Sequence, residues 1–532
     1  MALFSVRHMR SGPTPYGLLV ERNVAQARAA GDGATAGVYS APMPAESVYR
    51  VVVVGAGFGG IGMASALQQA GLDDFLVVDR AADLGGTWRD NTYPGLSCDI
   101  PSNLYSYSGR PGRWSRRFPP GQEILGYLRQ LCAERGLGRH LRFGTGVAGA
   151  EFDERSAVWT LTLEDGGTLR ARAIVSAVGQ LGRPRLPDIP GRDSFAGPSW
   201  HSARWDHGVD LAGRRVAVLG TGASAIQFVP EIARTAAHVD VFQRNAPYIL
   251  PKSDRVYRPG ELALYDRLPV LRKADRLRIF LYGELLTSGF VLSPRLQAAP
   301  MAMWRRQLRG ISDPELRARC IPDYRLGCKR VLFSDDWYPT LTRPNVELVT
   351  EPIERIAPGG VVTAGGGTHP ADVLVYGTGF QTLDFLAPMS VTGLDGRHLE
   401  QEWSAGAEAY LGITVSGFPN FFLLYGPNTN LGGNSIIYML ESQIGYVVGA
   451  LRALESDGLD WLDVRPEVQR AFNKWVVKAS RSSVWLSGCD SWYTTADGRN
   501  TNNWPGQTFR YRHRVRHFDL ASYRVMPKRA AA

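Results

Sequence analysis

The chain has 532 residues, 44% of them hydrophobic and 21% charged, an ordinary globular composition with length for two or three domains. Its formal charge of +10 reflects a preference for arginine, since only six of the 60 basic residues are lysine; no basic run is interleaved with a nucleic-acid-binding motif, so nucleic acid is not an expected partner. No apolar run reaches the ~18 residues of a membrane span, and no apolar stretch follows Arg7 and Arg10 as in a secretory signal. The five cysteines are scattered and form no CxxC. A reducing, cytoplasmic compartment is expected, without a disulfide framework, a zinc ribbon, a redox dithiol or stable membrane insertion.

Residues 1–46 form a polar, Ala/Gly-rich extension, with one helix placed near 17–30. Val51 to Val54 is then a continuous β-branched run, followed at once by GAGFGG, with Gly55, Gly57 and Gly60 in GxGxxG spacing. An Ala/Met/Leu-rich helical stretch runs to about Ala70, and a second apolar run, FLVVD, ends at Asp79. Strand, tight turn, helix and strand make a dinucleotide site. The first glycine allows the turn, the second lets backbone approach a pyrophosphate, and the third lets helix and strand pack. The helix N-terminus favours the negative charge.

The pattern recurs at Arg215 to Leu219, which leads into GTGASA, with Gly220, Gly222 and Ala225 in the same spacing. Asp79 lies 24 residues after Gly55, and Arg244 lies 24 residues after Gly220. The two loops thus carry opposite charges where the adenosine ribose is read. An aspartate accepts from a 2′-hydroxyl and repels a 2′-phosphate, whereas an arginine fork suits the phosphate. The first site should hold FAD or NAD, and the second should prefer NADP. Asp240 is a rival ribose acid, but it sits inside its strand.

Two further segments, ARAIVSAVGQ (171–180) and ADVLVYGTGF (371–380), share one shape, an apolar strand ending in glycine, and each follows one of the loops. RPRLPDIPG (183–191) reads as a linker. The expected fold is α/β, with two doubly wound Rossmann-like domains, the first of them discontinuous. It is divided into 47–182 (FAD domain, first part), 183–371 (NADP domain, with a helical insertion at 251–328) and 372–532 (FAD domain, second part). The insertion breaks the α/β rhythm with helical periodicity at Leu262, Tyr265 and Leu268 and again at Ile279, Leu281, Leu285 and Leu286, and is expected to cover a pocket. Two dinucleotides in one chain suggest a relay of hydride from nicotinamide to flavin.

Between the loops lies FAGPSWHSARWD (195–206). His201 has no metal partner in this stretch: His207 is six residues on, and no cysteine or acid pair flanks it. His513 and His517 are four apart in an arginine-crowded RYRHRVRH, which repels cations. No metal is expected. The segment meets in full the pattern F-x-G-x-x-x-H-x-x-x-W-[PD], through Phe195, Gly197, His201, Trp205 and Asp206. In this the chain resembles the class B flavoprotein monooxygenases, specifically the Baeyer–Villiger monooxygenases. GGTW (85–88), YPGLSCDIPS (93–102), VFQR (241–244), CKR (328–330), GTGF (377–380), GFPNFF (417–422) and GPNTNLGGNS (426–435) extend the resemblance from about residue 50 to 515. The one departure is Asp79, where glutamate is commoner in such flavin sites.

The resemblance implies FAD and NADPH as cofactors, with O₂ and a small ketone as substrates. One oxygen atom is inserted beside the carbonyl through a C4a-peroxyflavin, giving an ester or lactone. It makes Arg330 the catalytic cation and Asp99 its partner, and places Lys329 beside the 2′-phosphate with Arg244. Its histidine belongs to the domain linker, so His201 is read as a hinge latch in the catalytic set. For FAD it implies contacts from Gly55, Gly57, Phe58, Gly60, Asp79, Gly86, Thr87, Trp88, Asp99, Tyr105, Val147 and Thr378. For NADP it implies Gly220, Thr221, Gly222, Ala223, Ser224, Arg244, Lys329 and Arg330. Trp492 and NNWPG (502–506) are expected in a mobile loop over NADP. Leu431 and Ile436 to Leu440 suggest an apolar substrate. Neither the ketone nor an oligomeric state is specified by these motifs. A flavin N- or S-oxygenase on the same framework and an inactive nucleotide-binding relative remain as alternatives; a disulfide reductase lacks its CxxC.

Overall fold

The computed structural model describes residues 47–528 except 489, 490 and 496. The extension at 1–46, with the helix expected near 17–30, lies outside the described residues. From Val48 onward the described residues form two large sheets of eight and five strands and three small ones of two or three, with helices packed on the large ones.

The strand Val48–Val54 pairs in parallel with Phe75–Val78 on one side and Thr168–Ser176 on the other. Val51, Val52 and Val53 are fully buried, which is why this run is continuously apolar rather than alternating. Outward from Thr168–Ser176 come Val158–Leu163, Val147–Asp153 and Ser390–Thr392, while Leu141–Arg142 closes the other edge. Phe421–Leu423 returns from the distal part of the chain to pair with Thr168–Ser176. The first sheet is therefore built from residues on both sides of the second, as expected of a discontinuous domain.

The second sheet is all parallel, in the order Val346–Val349, His238–Phe242, Arg215–Leu219, Val373–Tyr376 and Ser199–His201. The expected division at 371/372 falls one strand too early, because Val373–Tyr376 hydrogen-bonds to Arg215–Leu219, in the second sheet. A strand with all four residues buried satisfies its backbone groups only inside a sheet. The chain recrosses through the glycines that follow. His201 likewise ends an edge strand of this sheet, opposite Tyr376.

Residues 259–319 form helices, chief among them Pro259–Arg267, Pro269–Val291 and Ala298–Leu308. Leu286, Phe290, Trp304 and Leu308 join the core of the second sheet, each burial contributing about 1.5–3 kcal/mol. Arg276 Nη1 also donates to the carbonyls of Asn103, Leu104 and Ser106 at 2.9, 3.2 and 2.9 Å, tying this insertion to the first half of the chain. Cys98, Cys132 and Cys320 carry free, buried thiols. Cys328 is disulfide-bonded, against the expectation from scattered cysteines, and its partner is not among the described residues. None of the described helices is long and apolar enough to cross a membrane.

Candidate active site between the two nucleotide loops

The two nucleotide turns are built alike. Gly55 and Gly220 have φ of +107° and +108°, a conformation that side chains disfavour. A Cβ on Gly55 would lie 2.6 Å from the Ala177 carbonyl oxygen, and one on Gly220 would lie 2.5 Å from that of Gly377. In each case the crowding backbone follows the neighbouring parallel strand, so the two glycine-ended strands noted in the sequence close the two loops. At Gly57 and Gly222 no protein atom comes nearer than 3.7 and 3.8 Å to the missing Cβ, and both residues line the cavity. That opening is what close approach of a pyrophosphate requires, so the loops fit two dinucleotides. Gly60 does not line the cavity. Its Cβ would overlap the Gly55 carbonyl oxygen at 1.8 Å, so it serves helix–strand packing rather than contact.

One cavity of about 1730 Å³ runs between the loops, larger than the roughly 300–1,000 Å³ of a drug-sized pocket. Every expected site residue except Gly60 and His201 lines it. Asp79 stands at the end of its strand, accepting from Ala56 N at 2.8 Å and Ala81 N at 2.9 Å. Arg89, which the sequence reading passed over, pairs with the same carboxylate at 3.2 Å and also lines the cavity. Phe58, Trp88 and Tyr105 form an aromatic wall: the Trp88 indole donates to the Tyr105 hydroxyl at 3.1 Å, and the Tyr105 ring meets Phe58 edge-on at 5.3 Å. Val147 lines the cavity from the start of its strand, and Thr378 donates to the Arg185 carbonyl, joining the two crossings between the sheets.

Arg330 and Asp99, 231 residues apart in sequence, form an ion pair on the cavity wall. The neighbouring carboxylate is the main cause raising the Arg330 pKa above its ordinary value. Burial pushes Asp99 up, but the charge and hydrogen bond of Arg330, helped by Lys252, prevail and hold it below the usual carboxylate range. Asp99 is brought there by docking YPGLSCDIPS onto the second domain: Ser97 N donates to Gln227 Oε1 at 2.9 Å, and Lys252 Nζ donates to Ser97 Oγ at 2.5 Å. Lys252 was not singled out from sequence, yet it carries the signal that marked Lys329, a lysine kept in an arginine-rich chain. Lys329 Nζ donates to Asn245 Oδ1 at 2.8 Å, which puts it beside the residue after Arg244. Tyr425 and Tyr493, also missed, lie in the field of Arg330; burial raises both hydroxyl pKa values, that of Tyr493 to about 12.

His201 lies behind the wall rather than on it. Its ring packs edge-on against Phe380 at 5.5 Å, and Nδ1 accepts from Ala203 N at 3.1 Å. Burial lowers its pKa from 6.5. The Gly379 backbone opposes that shift, but not at good hydrogen-bonding geometry, since Nε2 has no partner among the described residues.

Two expectations about the pocket are corrected. The insertion helices do not line the cavity; of the insertion, only Tyr324 does. Residues 436–440 begin a helix, Ile436–Ser456, so only Ile436 and Leu440, one turn apart, face the cavity. Ile437 and Met439 are core residues, and Tyr438 packs on Phe280 at 4.8 Å. Trp492 does line the cavity, but NNWPG is no surface loop. Trp504 is buried in the main core, and Asn503 Oδ1 accepts from Asn430 Nδ2 at 2.7 Å, clasping the GPNTNLGGNS loop.

Two dinucleotide turns opening onto one shared cavity define a flavin- and nicotinamide-dependent oxidoreductase. Residues 52–258 match the family model described as pyridine nucleotide-disulphide oxidoreductase, a scaffold this chain carries without a CxxC. A Baeyer-Villiger monooxygenase from Streptomyces coelicolor is 44% identical over 481 residues, 90% of this chain and 92% of that protein. Another from Pseudomonas aeruginosa is 41% identical over 496 residues, 92% of this chain and 94% of that protein. Among solved structures, cyclohexanone monooxygenase from Rhodococcus sp. Phi1 bound to NADP⁺ superposes with a TM-score of 0.81 at 29% identity, covering 91% of this chain and 100% of that one. An oxidized steroid monooxygenase bound to NADP gives 0.80 at 29% identity, with the same coverage. The chain belongs to the Baeyer–Villiger monooxygenase family and is an FAD-containing, NADPH-dependent enzyme.

Proposed function

We propose that this enzyme inserts one atom of O₂ beside the carbonyl of a small apolar ketone, giving an ester or lactone, with the Arg330–Asp99 pair as its catalytic charge. The observation that carries this reading is the placement of that pair on the wall of the cavity both nucleotide loops open onto. Bound FAD supplies hydride acceptance and oxygen activation, which no side chain provides. The remaining work falls to the chain. Arg330 keeps a permanent positive charge where negative charge develops on the substrate oxygen. Its guanidinium does not deprotonate, so it does not act there as a proton donor. Asp99 aims the guanidinium and balances it in a site where an unpaired charge is costly.

In the same reading Asp79 accepts from the adenosine ribose of FAD, and the aromatic wall of Phe58, Trp88 and Tyr105 keeps water from the flavin ring. Arg244 and Lys329 hold the 2′-phosphate that distinguishes NADPH. Because Lys329 precedes Arg330, cofactor occupancy and catalytic geometry are coupled through one backbone segment. His201 is a positioning residue, holding Phe380 and the GTGF crossing from behind. Leu431, Ile436 and Leu440 favour an apolar ketone. A cytoplasmic location is part of the reading; the free thiols of Cys98, Cys132 and Cys320 support it, and the disulfide at Cys328 speaks against it.

The test is turnover with NADPH and isotopically labelled O₂ over linear, cyclic and aryl ketones, with sulfides and amines alongside. One labelled oxygen in an ester or lactone is the expected result. Oxidation of sulfides or amines without any ketone product would assign an N- or S-oxygenase instead. NADPH consumption ending wholly in hydrogen peroxide would remove the proposed role of Arg330.

A further inference from the structure

Twelve of the eighteen exposed large apolar side chains among the described residues lie between Val256 and Met303, in the helical insertion. They are not scattered. Val270, Leu277, Leu281, Leu285 and Leu292 follow at intervals of seven, four, four and seven residues, which places them on one stripe of the helix Pro269–Val291 and its C-cap. Each is more than half exposed. The opposite face of this helix, with Ile279, Leu286 and Phe290, is buried. A helix of 23 residues is about 35 Å long, so the stripe is a continuous ridge, larger than the single exposed leucines any surface carries.

Charge decides what such a ridge fits. Between residues 258 and 309 eight basic side chains are exposed, among them Arg267, Lys273, Arg278, Arg295 and Arg305. Lys273 and Arg278 flank the stripe on its two sides. The only exposed carboxylate in that span is Asp266, and Arg272 and Arg113 hold it at 2.9 and 3.2 Å. A second copy docking this face about a two-fold axis would bring two sets of cations together. An anionic surface neutralises them, and long arginine and lysine stems reach outward while leucines sink between headgroups.

We propose that the leucine stripe of the helical insertion is a peripheral docking surface for an anionic lipid bilayer, on which the helix lies without crossing. The consequence is access: an apolar substrate that partitions into lipid reaches an enzyme already seated there. Docking itself does not depend on the assigned reaction, and its test reads binding alone.

The full-length holoenzyme is sedimented with vesicles of phosphatidylcholine alone and with phosphatidylglycerol added, at low and high salt. Binding to the anionic vesicles is expected to be at least ~10-fold tighter and to weaken with salt. Leu277→Ser/Leu281→Ser/Leu285→Ser should lose it while keeping flavin content and NADPH oxidation. Lys273→Gln/Arg305→Gln/Arg306→Gln leaves the stripe intact and should lower the affinity roughly 100-fold, which guards against misfolding of the first variant. The protein staying in the supernatant at low salt overturns the proposal, as does a leucine variant that binds like the parent. A parent dimer that the leucine variant converts to monomer assigns the face to a second copy. Binding that emerges only after removal of residues 1–46 assigns it to that segment.

Discussion

The first nucleotide loop and the second have nearly the same backbone and different side chains where their second strands end. Turn glycines at φ +107° and +108°, amides donating to the carbonyls of Val78 and Phe242 at 2.7 and 3.0 Å, and crowding by the end of the next parallel strand are common to both. They part at one position. In the first loop Asp79 accepts from the loop amide of Ala56, binding strand end to turn. In the second the residue in that place, the first beyond its strand, is Gln243, and Arg244 follows it. A shared fold thus supplies two loops of one geometry, and the side chains beyond the two strand ends are where they differ.

The sharpest way to break the comparison lies between the loops, at the residue neither of them owns. Arg330→Met should lower ester formation by about 10³-fold, with flavin still bound, because Arg330 sits on the shared wall and outside the first loop. Product analysis alongside hydrogen peroxide measurement checks this; unchanged ester yield would show that the charge is dispensable. Alanine at the turn glycines separates the halves. Gly55→Ala should yield protein without FAD. Gly220→Ala should keep its flavin and raise the KM for NADPH, since each substitution meets backbone at about 2.6 Å in a left-handed conformation that itself costs about 1–3 kcal/mol. Flavin loss from both variants would mean that the halves do not fold independently around their cofactors.

Smaller effects refine the charge reading. Lys329→Ala should raise the KM for NADPH roughly 10-fold or more while that for NADH stays nearly unchanged, the cost of one charge-assisted contact. Equal effects on both cofactors would take Lys329 away from the 2′-phosphate. The least effect is expected at His201. His201→Gln should divert a few-fold more NADPH to hydrogen peroxide without altering flavin content, and full coupling would end the latch reading. Its pH signature has a definite sign. Burial lowers its folded-state pKa below 6.5, so the unfolded chain takes up the proton first. The contribution is present above about pH 6.5 and lost on acidification below it. The unfolding midpoint of the parent should therefore fall between pH 7.5 and 5.5 more steeply than that of His201→Gln. Asp99, also held low, contributes above the ordinary carboxylate range and loses that contribution at still lower pH.

Local rules made both loops legible, because a GxGxxG turn between a β-branched run and a helix is a backbone requirement written in adjacent residues. Asp79 directly follows its strand, whereas Arg244 stands one residue further beyond its own, after Gln243. The errors lie where spacing alone was followed. The boundary at 371/372 cut Val373–Tyr376 from its sheet, although its place after the second loop marks it as the strand that closes that unit, where it pairs with Arg215–Leu219. Tyr438 and Met439 were placed in the pocket as members of a loop, whereas the helical period turns Ile436 and Leu440 inward and those two away. NNWPG was expected in a mobile loop over NADP, whereas it is buried, with Asn503 accepting from Asn430 and Asn500. Arg89, Tyr425 and Tyr493 were passed over, since nothing in their own neighbourhoods marks them, and Lys252 was passed over although its rarity was the signal that marked Lys329.

The sequence by itself determined two dinucleotide turns and, through FAGPSWHSARWD, the family. Those are properties of contiguous residues, where backbone geometry and side-chain chemistry act over a few ångströms along the chain. Only the tertiary structure decided that Asp99 meets Arg330 across 231 residues, that Lys252 stands behind them, and that the insertion turns its leucines outward instead of over the pocket. Those outcomes depend on which buried faces find each other when the sheets pack, and that is set by the sum of many long-range contacts rather than by any local pattern.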